Sequence, residues 1–151
     1  SPQDLGDLIA FTRFLAPPQP QAFDDSATRG QTAFAAIGCA KCHIPELPSS
    51  RGPVRAYTDL LIHDMGDDLA DNINFGIPSA SPSSPPHSGR EFRTQPLWGV
   101  SKFGPHLHDG RANTLDEAIR LHGGEAASSR DAYIALSVTE REDVLSFLRH
   151  L

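Results

Sequence analysis

The sequence predicts a mostly α-helical single domain with long irregular loops, and three observations support that prediction. Apolar residues recur at helical spacing in several segments, and capping residues precede them. No useful length of sequence alternates apolar and polar residues as a half-buried strand does. The 12 glycines and 13 prolines among 151 residues indicate many turns, while a hydrophobic content of 38% is enough for one core.

Two helices are predicted in the first forty residues. The first spans residues 4–15 and stops before Pro17. The second spans roughly residues 27–37 and ends at Gly38, and its candidate N-caps are Asp24, Asp25 and Ser26. Their apolar faces are expected to point inward, with Leu5, Leu8, Ile9 and Leu15 on the first helix and Ala33, Phe34 and Ile37 on the second.

The middle of the chain predicts loops around one short helix. Residues 44–55 contain three prolines and one glycine and are predicted to be loop. Residues 57–65 predict a short helix whose apolar residues are Leu60, Leu61 and Ile62. Residues 78–89 consist almost entirely of proline, serine and glycine, which indicates an extended surface insertion. Because little core precedes this insertion, we expect residues 1–151 to form one domain.

Two capping boxes predict helices in the C-terminal part. Thr114 and Glu117 form the first box, before a helix that Gly123-Gly124 ends, and Thr139 and Glu142 form the second, before the last helix. The faces expected to be buried carry Leu115, Ala118, Ile119 and His122 in the first of these helices and Val144, Leu145 and Leu148 in the second.

Composition argues against two classes of partner. Thirteen basic residues face 19 acidic ones, and the net charge of −6 has the wrong sign for a protein that neutralises phosphates. The longest apolar run, Ala33–Ile37, is far too short for a membrane span. We therefore expect neither nucleic acid nor a membrane span. The chain starts at Ser1 without a basic segment and an apolar leader, so we expect a mature chain or an excised domain.

The two cysteines lie in Cys39-Ala40-Lys41-Cys42-His43, a C-x-x-C-H run. Thiols one helical turn apart can form thioethers to both vinyl groups of one haem, and the next imidazole is then held beneath the iron. A thioredoxin-type disulfide would need a βαβ context, and a zinc site would need a second pair of cysteines or histidines. The run therefore predicts one covalent haem c with His43 as an axial ligand.

A six-coordinate iron needs a second axial ligand, and two residues compete for that role. His122 is predicted to lie on the apolar face of a capped helix, where an imidazole without a partner costs free energy. Met65 is the only methionine in the chain and is the alternative.

Five blocks of the sequence together resemble one family. They are residues 38–45 (GCAKCHIP), 57–66 (YTDLLIHDMG), 91–100 (EFRTQPLWGV), 107–112 (LHDGRA) and 122–126 (HGGEA). In this order they are similar to the di-haem oxidoreductase family, which is related to bacterial di-haem cytochrome c peroxidases and MauG-type proteins. The resemblance runs through nearly the whole chain and covers the C-terminal haem domain of such proteins, without the N-terminal haem domain.

The resemblance implies a cytochrome c-like fold and roles for further residues. In peroxidase and MauG-type relatives, the distal ligand of this haem lies fourteen residues beyond the histidine of an H-D-G motif, and counting from His108 reaches His122. The resemblance also suggests residues that bind the haem propionates or cover a ring face: Arg93, Trp98, His108 and Arg111. Alternatively, the tryptophan belongs to the core and the arginines pair with surface carboxylates.

Two functions are compatible with these residues. One is electron transfer through a six-coordinate haem to a redox partner protein or a companion haem domain. The other is peroxidase-like or other oxidoreductase chemistry, which needs an open position at the iron. His43 and His122 would fill both axial positions, so we favour electron transfer and assign no catalytic residue. Because c-type haem is attached outside the cytoplasm in bacteria, we expect a periplasmic or otherwise exported protein.

Overall fold

The computed structural model describes residues 1–71, 73 and 89–151, and helices make up most of their regular structure. The helices are α1 (Pro2–Phe14), α2 (Asp25–Ala36), α3 (Leu115–Arg120), α4 (Ala127–Ala135) and α5 (Val138–His150). The strands are β1 (Ile62–Asp64) and β2 (Glu91–Arg93), which pair antiparallel with His63 opposite Phe92. The mostly α prediction with long loops is therefore confirmed. Apart from Gly89, the insertion predicted near residues 78–89 lies outside the described residues.

Helices α2 and α5 pack directly on each other and form the centre of the core. A Cβ atom on Gly30 would lie 1.9 Å from the Asp143 carbonyl oxygen, so the two backbones meet closely at this point. The buried Asp143 side chain accepts two hydrogen bonds of 2.8 Å from Arg29 and one of 2.6 Å from Ser26. The core cluster consists of Phe34, Tyr57, Tyr133, Val144, Phe147, Leu148 and Leu151.

Helix α1 forms where the sequence predicts a helix, but its predicted core face is not buried. Ser1 and Asp4 form a capping box at its start, and Leu15 ends it before the prolines. None of its residues is buried, and Leu5 and Leu8 are each 59% exposed. The periodicity of α1 therefore marks an apolar face that the described residues of this chain do not cover.

Residues 57–65 do not form the predicted helix. Tyr57 and Leu60 have φ angles of 53° and 61°, which are incompatible with a right-handed helix, and the segment ends as strand β1. Leu60, Leu61 and Ile62 are exposed rather than buried. A run of three apolar residues fits a short helix or a strand equally well, and tertiary pairing with β2 decides in favour of the strand.

The C-terminal helices confirm one predicted cap and correct the other. Thr114 and Glu117 form the predicted capping box of α3. Helix α5 begins two residues earlier than expected, because Ser137 and Glu140, not Thr139 and Glu142, form its capping box. Helix α4 was not predicted, and its Tyr133 is fully buried. Within the described part of the chain, no helix is long and apolar enough to cross a membrane.

Candidate haem site

The C-x-x-C-H run begins immediately after helix α2. Gly38 adopts a φ of 93°, a left-handed conformation that suits glycine and ends the helix. Cys39 starts a single 3-10 turn, and the His43 amide donates a 3.0 Å hydrogen bond to the Cys39 carbonyl. Both cysteines are free thiols, and burial raises the pKa of Cys39 to about 11. The turn thus presents two protonated thiols and one imidazole from five consecutive residues.

The His43 ring has one nitrogen committed and one free. Its Nδ1 lies 3.0 Å from the carbonyl oxygen of Tyr57, which can only accept, so Nδ1 carries the proton. Burial lowers the pKa of His43 to about 4, so the ring is neutral at pH 7. Its Nε2 has no hydrogen-bond partner among the described residues and keeps a lone pair. A neutral imidazole fixed in this way is the form that binds iron.

The His122 ring is held in the same way as the His43 ring, with Nδ1 on a backbone carbonyl oxygen. It follows Leu121, the C-cap of α3, and its Nδ1 lies 2.7 Å from the Ala118 carbonyl oxygen. Burial lowers its pKa as well, so this ring is also neutral at pH 7 with Nε2 uncommitted. Arg130 on α4 donates a 3.1 Å hydrogen bond to the His122 carbonyl and helps to hold this turn.

The two histidines and the two cysteines offer donors of the kinds that hold a covalent haem. Burial is the main cause of the lowered pKa of both rings, and a positive charge on His122 would lower the pKa of His43 further. Two neutral imidazoles with free Nε2 atoms, together with two thiols on the 3-10 turn, fit the donor set of a six-coordinate haem c. A zinc site fits less well. Among the described residues, the group with metal-ligand proximity contains Cys42, Asp59 and His63 but neither Cys39 nor His43.

His63 forms a charged cluster beside Cys42 that the sequence did not indicate. Its Nε2 lies 2.8 Å from an Asp59 carboxylate oxygen, and its Nδ1 lies 2.8 Å from Glu125. The hydrogen bond to Glu125 raises the pKa of His63, and the same contact lowers that of Glu125. Asp59 and Glu125 lie in two of the blocks that resemble the family, residues 57–66 and 122–126. The contact between His63 and Glu125 spans 62 residues, however, so it depends on the fold.

The other predicted haem contacts have partners of their own. Arg93 is exposed and hydrogen-bonds Gln95, and Arg111 pairs with Asp109 at 2.6 Å and with the Asp68 carbonyl. The His108 ring stacks on Phe92 with 4.0 Å between ring centroids.

Two more predicted residues lie in loops. Trp98 is half-buried in the turn that follows β2. Met65 is half-buried after β1, and its carbonyl oxygen would be 2.6 Å from a Cβ on Gly123, so its backbone adjoins the turn that carries His122. Among the described residues, no hydrogen bond joins any of these side chains to Nε2 of His43 or of His122.

Comparison with known sequences identifies related proteins. A family model described as "Di-haem oxidoreductase, putative peroxidase" matches residues 2–151. Methylamine utilization protein MauG from Methylophilus methylotrophus is 29% identical over 155 aligned positions, which cover 97% of this chain and 42% of that protein. Cytochrome-c peroxidase IdrP1 from Denitromonas iodatirespirans is 36% identical over 66 positions, covering 40% of this chain and 18% of its own. The chain thus spans less than half the length of these relatives.

Two solved structures share the fold. Hydrazine synthase from Kuenenia stuttgartiensis superposes with a TM-score of 0.69 at 24% identity, covering all of this chain and 56% of that one. A MauG-like protein associated with microbial copper homeostasis superposes with a TM-score of 0.53 at 24% identity, covering 86% and 47% of the two chains. The helix-rich architecture with long loops is therefore shared with a MauG-like fold.

Proposed function

The chain belongs to the di-haem oxidoreductase family, and from this premise we propose that it is a c-type cytochrome domain that transfers electrons through one covalent haem c. Cys39 and Cys42 would hold the haem by thioether bonds, and His43 and His122 would bind its iron. Family membership by itself establishes haem-based redox function and leaves open the number of haems and the ligands. When bound, the haem supplies a one-electron couple at its iron.

The matched pair of imidazoles carries this proposal. His43 and His122 each direct Nδ1–H to a backbone carbonyl, at 3.0 Å and 2.7 Å, and each leaves the Nε2 lone pair free. The carbonyl bond fixes the tautomer and orients the ring before iron arrives. Two such ligands leave no open position for an exogenous molecule, so the arrangement favours electron transfer over substrate chemistry.

Core side chains pack against the turn that carries His43. Phe34 packs near His43 with 6.2 Å between ring centroids, and the core side of the turn is closed by Cys39. Helix α2 places the turn directly on the packed α2–α5 core.

A companion haem domain or a separate redox protein would exchange the electrons. The chain spans 42% of the MauG relative, and helix α1 displays an uncovered apolar face that such a companion could bury. Covalent haem attachment takes place outside the bacterial cytoplasm, which supports a periplasmic or otherwise exported location.

The second candidate is peroxidase-like or other oxidoreductase chemistry at the iron. The match to cytochrome-c peroxidase IdrP1 favours it, since that name states a peroxidase activity. It requires one axial position to be open or readily opened. Met65, whose backbone adjoins the His122 turn, is the alternative sixth ligand, and a His/Met site would have the higher reduction potential.

One set of variants of the haem-loaded protein tests the proposal. The wild type is expected to keep its haem on a denaturing gel, to gain the mass of one haem, and to show a low-spin ferric spectrum. Replacement of His122 by alanine should open the iron, shift the spectrum toward high spin and accelerate binding of cyanide or azide. Met65→Leu, a change of similar volume, should leave the spectrum nearly unaltered.

Three results would contradict this proposal in different ways. Two free thiols and no retained haem would exclude a c-type cytochrome. A normal spectrum for His122→Ala together with an open iron in Met65→Leu would assign the ligand to Met65. A high-spin wild type that consumes peroxide rapidly would establish the enzymatic alternative.

A further inference from the structure

We propose that His63, bound between Asp59 and Glu125, is a positioning residue that fastens the turn carrying His122 and so keeps that ligand on the iron. The inference rests on the proposed haem ligation. We call His63, Asp59 and Glu125 the His63 clamp. It goes beyond the axial ligands because it assigns a role to three side chains that are not among the proposed haem ligands.

Both nitrogens of His63 are engaged by acceptors. Nε2 lies 2.8 Å from Asp59 and Nδ1 lies 2.8 Å from Glu125. A carboxylate accepts but does not donate, so a ring held on both sides is the doubly protonated imidazolium. The side chains of His63 and Asp59 are only 17% and 10% exposed, so solvent screens this half of the clamp weakly.

The clamp joins two distant parts of the chain. Asp59 and His63 belong to the segment that ends in β1, whereas Glu125 follows His122 by three residues. The second carboxylate oxygen of Glu125 accepts a 3.0 Å hydrogen bond from the Asp64 amide. The Glu125 carboxylate therefore binds both a side chain of β1, that of His63, and a backbone amide of β1, that of Asp64.

Close backbone packing continues this contact up to His122. A Cβ on Gly124 would lie 2.1 Å from the Asp64 carbonyl oxygen, and one on Gly123 would lie 2.6 Å from that of Met65. Gly124 also has a φ of 50°, a conformation that a side chain would disfavour. The turn after His122 thus packs against the end of β1 through its backbone. The His63 clamp adds side-chain hydrogen bonds to the same contact.

The clamp also lies beside the covalent attachment site. The Cys42 sulfur, an Asp59 oxygen and a His63 nitrogen all lie within 4.8 Å of one another. The proposed thioether would occupy the Cys42 sulfur, and the carboxylates already occupy both His63 nitrogens, so the group is better explained as a fastening than as a metal site. The His63 clamp consequently connects the turn that carries His122 to the C-x-x-C-H run that carries His43.

The test compares Glu125→Ala, Glu125→Gln and His122→Ala in the haem-loaded protein. Glu142→Ala is the matched control, because Glu142 is 59% exposed in an ion pair with Arg149 and Glu125 is 57% exposed in its contact with His63. The readouts are the high-spin fraction of the ferric spectrum and the rate of cyanide binding. A merely structural role would change thermal stability without changing either readout.

We expect Glu125→Ala to gain a high-spin fraction and to bind cyanide about 10- to 100-fold faster, the usual scale for loss of a residue that orients a metal ligand. Glu125→Gln, which retains an acceptor for His63, should lie between Glu125→Ala and the wild type. Glu142→Ala should match the wild type.

The outcomes separate the clamp from the haem ligation. If His122→Ala opens the iron while Glu125→Ala keeps the wild-type spectrum and cyanide rate, the clamp proposal is overturned and the ligation stands. A His122→Ala variant with an unchanged spectrum would overturn both, because there would be no ligand for the clamp to hold. Equal changes in Glu125→Ala and Glu142→Ala would show a general effect of surface charge and would also overturn the clamp.

Discussion

At the scale of single residues, the haem site depends on small groups that set backbone distances. Gly30 lets α2 approach α5, and Gly38 ends α2 so that the C-x-x-C-H run follows at once. Gly30 lies on the helix that leads to the run and Gly38 directly precedes Cys39, so both determine where Cys39 and His43 lie. Substitution of a glycine at a close approach is therefore expected to act on the whole core.

Gly30→Ala is predicted to destabilise the protein by about 1–3 kcal/mol or more, because overpacking forces the two helices apart. The new Cβ would lie 1.9 Å from the Asp143 carbonyl oxygen, an atom of the backbone that has little room to move. Thermal unfolding of the haem-loaded protein measures the effect.

Gly6→Ala in helix α1 is the matched control for this prediction. No atom lies within 4 Å of the Cβ it would add, and alanine favours a helix over glycine. Its unfolding midpoint should not fall. Equal midpoints for the two variants would mean that α2 and α5 do not meet at Gly30.

The residues of the site also show what sequence reasoning can reach. The sequence alone could nominate Cys39, Cys42 and His43, because the chemistry of a C-x-x-C-H run is contained in five adjacent residues. His122 was nominated as part of a capped helix that Gly123-Gly124 would end, but α3 ends at Arg120 with Leu121 as its C-cap, so His122 lies in the turn that follows the helix. The His63 clamp was missed because it depends on a contact between residues 62 positions apart, which local patterns do not encode.

At the scale of elements, the α2–α5 junction combines apolar packing with one buried carboxylate. The Arg29 guanidinium lowers the pKa of Asp143 below its ordinary value of 3.8, and Ser26 acts in the same direction. A carboxylate with a lowered pKa contributes stability above its unfolded-state pKa and loses it as pH falls through the folded-state pKa. The junction is therefore expected to weaken below about pH 4.

Asp143→Asn is predicted to lower the unfolding midpoint at pH 7, because it removes the charge-assisted hydrogen bonds to Arg29. The gap between variant and wild type should narrow as pH falls below about 4, where the wild-type carboxylate itself becomes protonated. Thermal scans between acidic and neutral pH measure this. Glu142→Gln, on the adjacent exposed residue, is the control and should show no such narrowing. A gap that stays constant with pH would contradict the assignment.

Errors in the predicted elements arose where two local solutions compete. Ser137–Glu140 and Thr139–Glu142 are overlapping capping boxes, and the earlier one is used, which adds two residues to α5. The apolar run at Leu60–Ile62 fits a helix by composition, but Tyr57 and Leu60 take positive φ angles and the chain becomes a strand. Sequence patterns define the candidate elements, and tertiary contacts choose among them.

At the scale of the whole molecule, the apolar surface is unevenly distributed. Of the 13 large apolar residues that are exposed in the described part of the chain, six belong to α1 and its C-cap. The core lies instead around Phe147, which is fully buried between α2 and α5. This contrast predicts that α1 contributes little to the stability of the isolated chain and serves the contact with a companion domain.

The double substitution Leu8→Glu with Phe11→Glu tests that division. Both side chains are already about 60% exposed (59% and 63%), so we expect an unfolding midpoint close to that of the wild type. The wild type should self-associate at high protein concentration through its apolar helix, and the double variant should remain monomeric in sedimentation velocity. Phe147→Ala is the opposite control and should cost about 3–5 kcal/mol, because it leaves a cavity in the core. A large fall in the midpoint of the double variant would show that α1 packs on its own domain. In that case, the uncovered face could not be the surface that a companion haem domain buries.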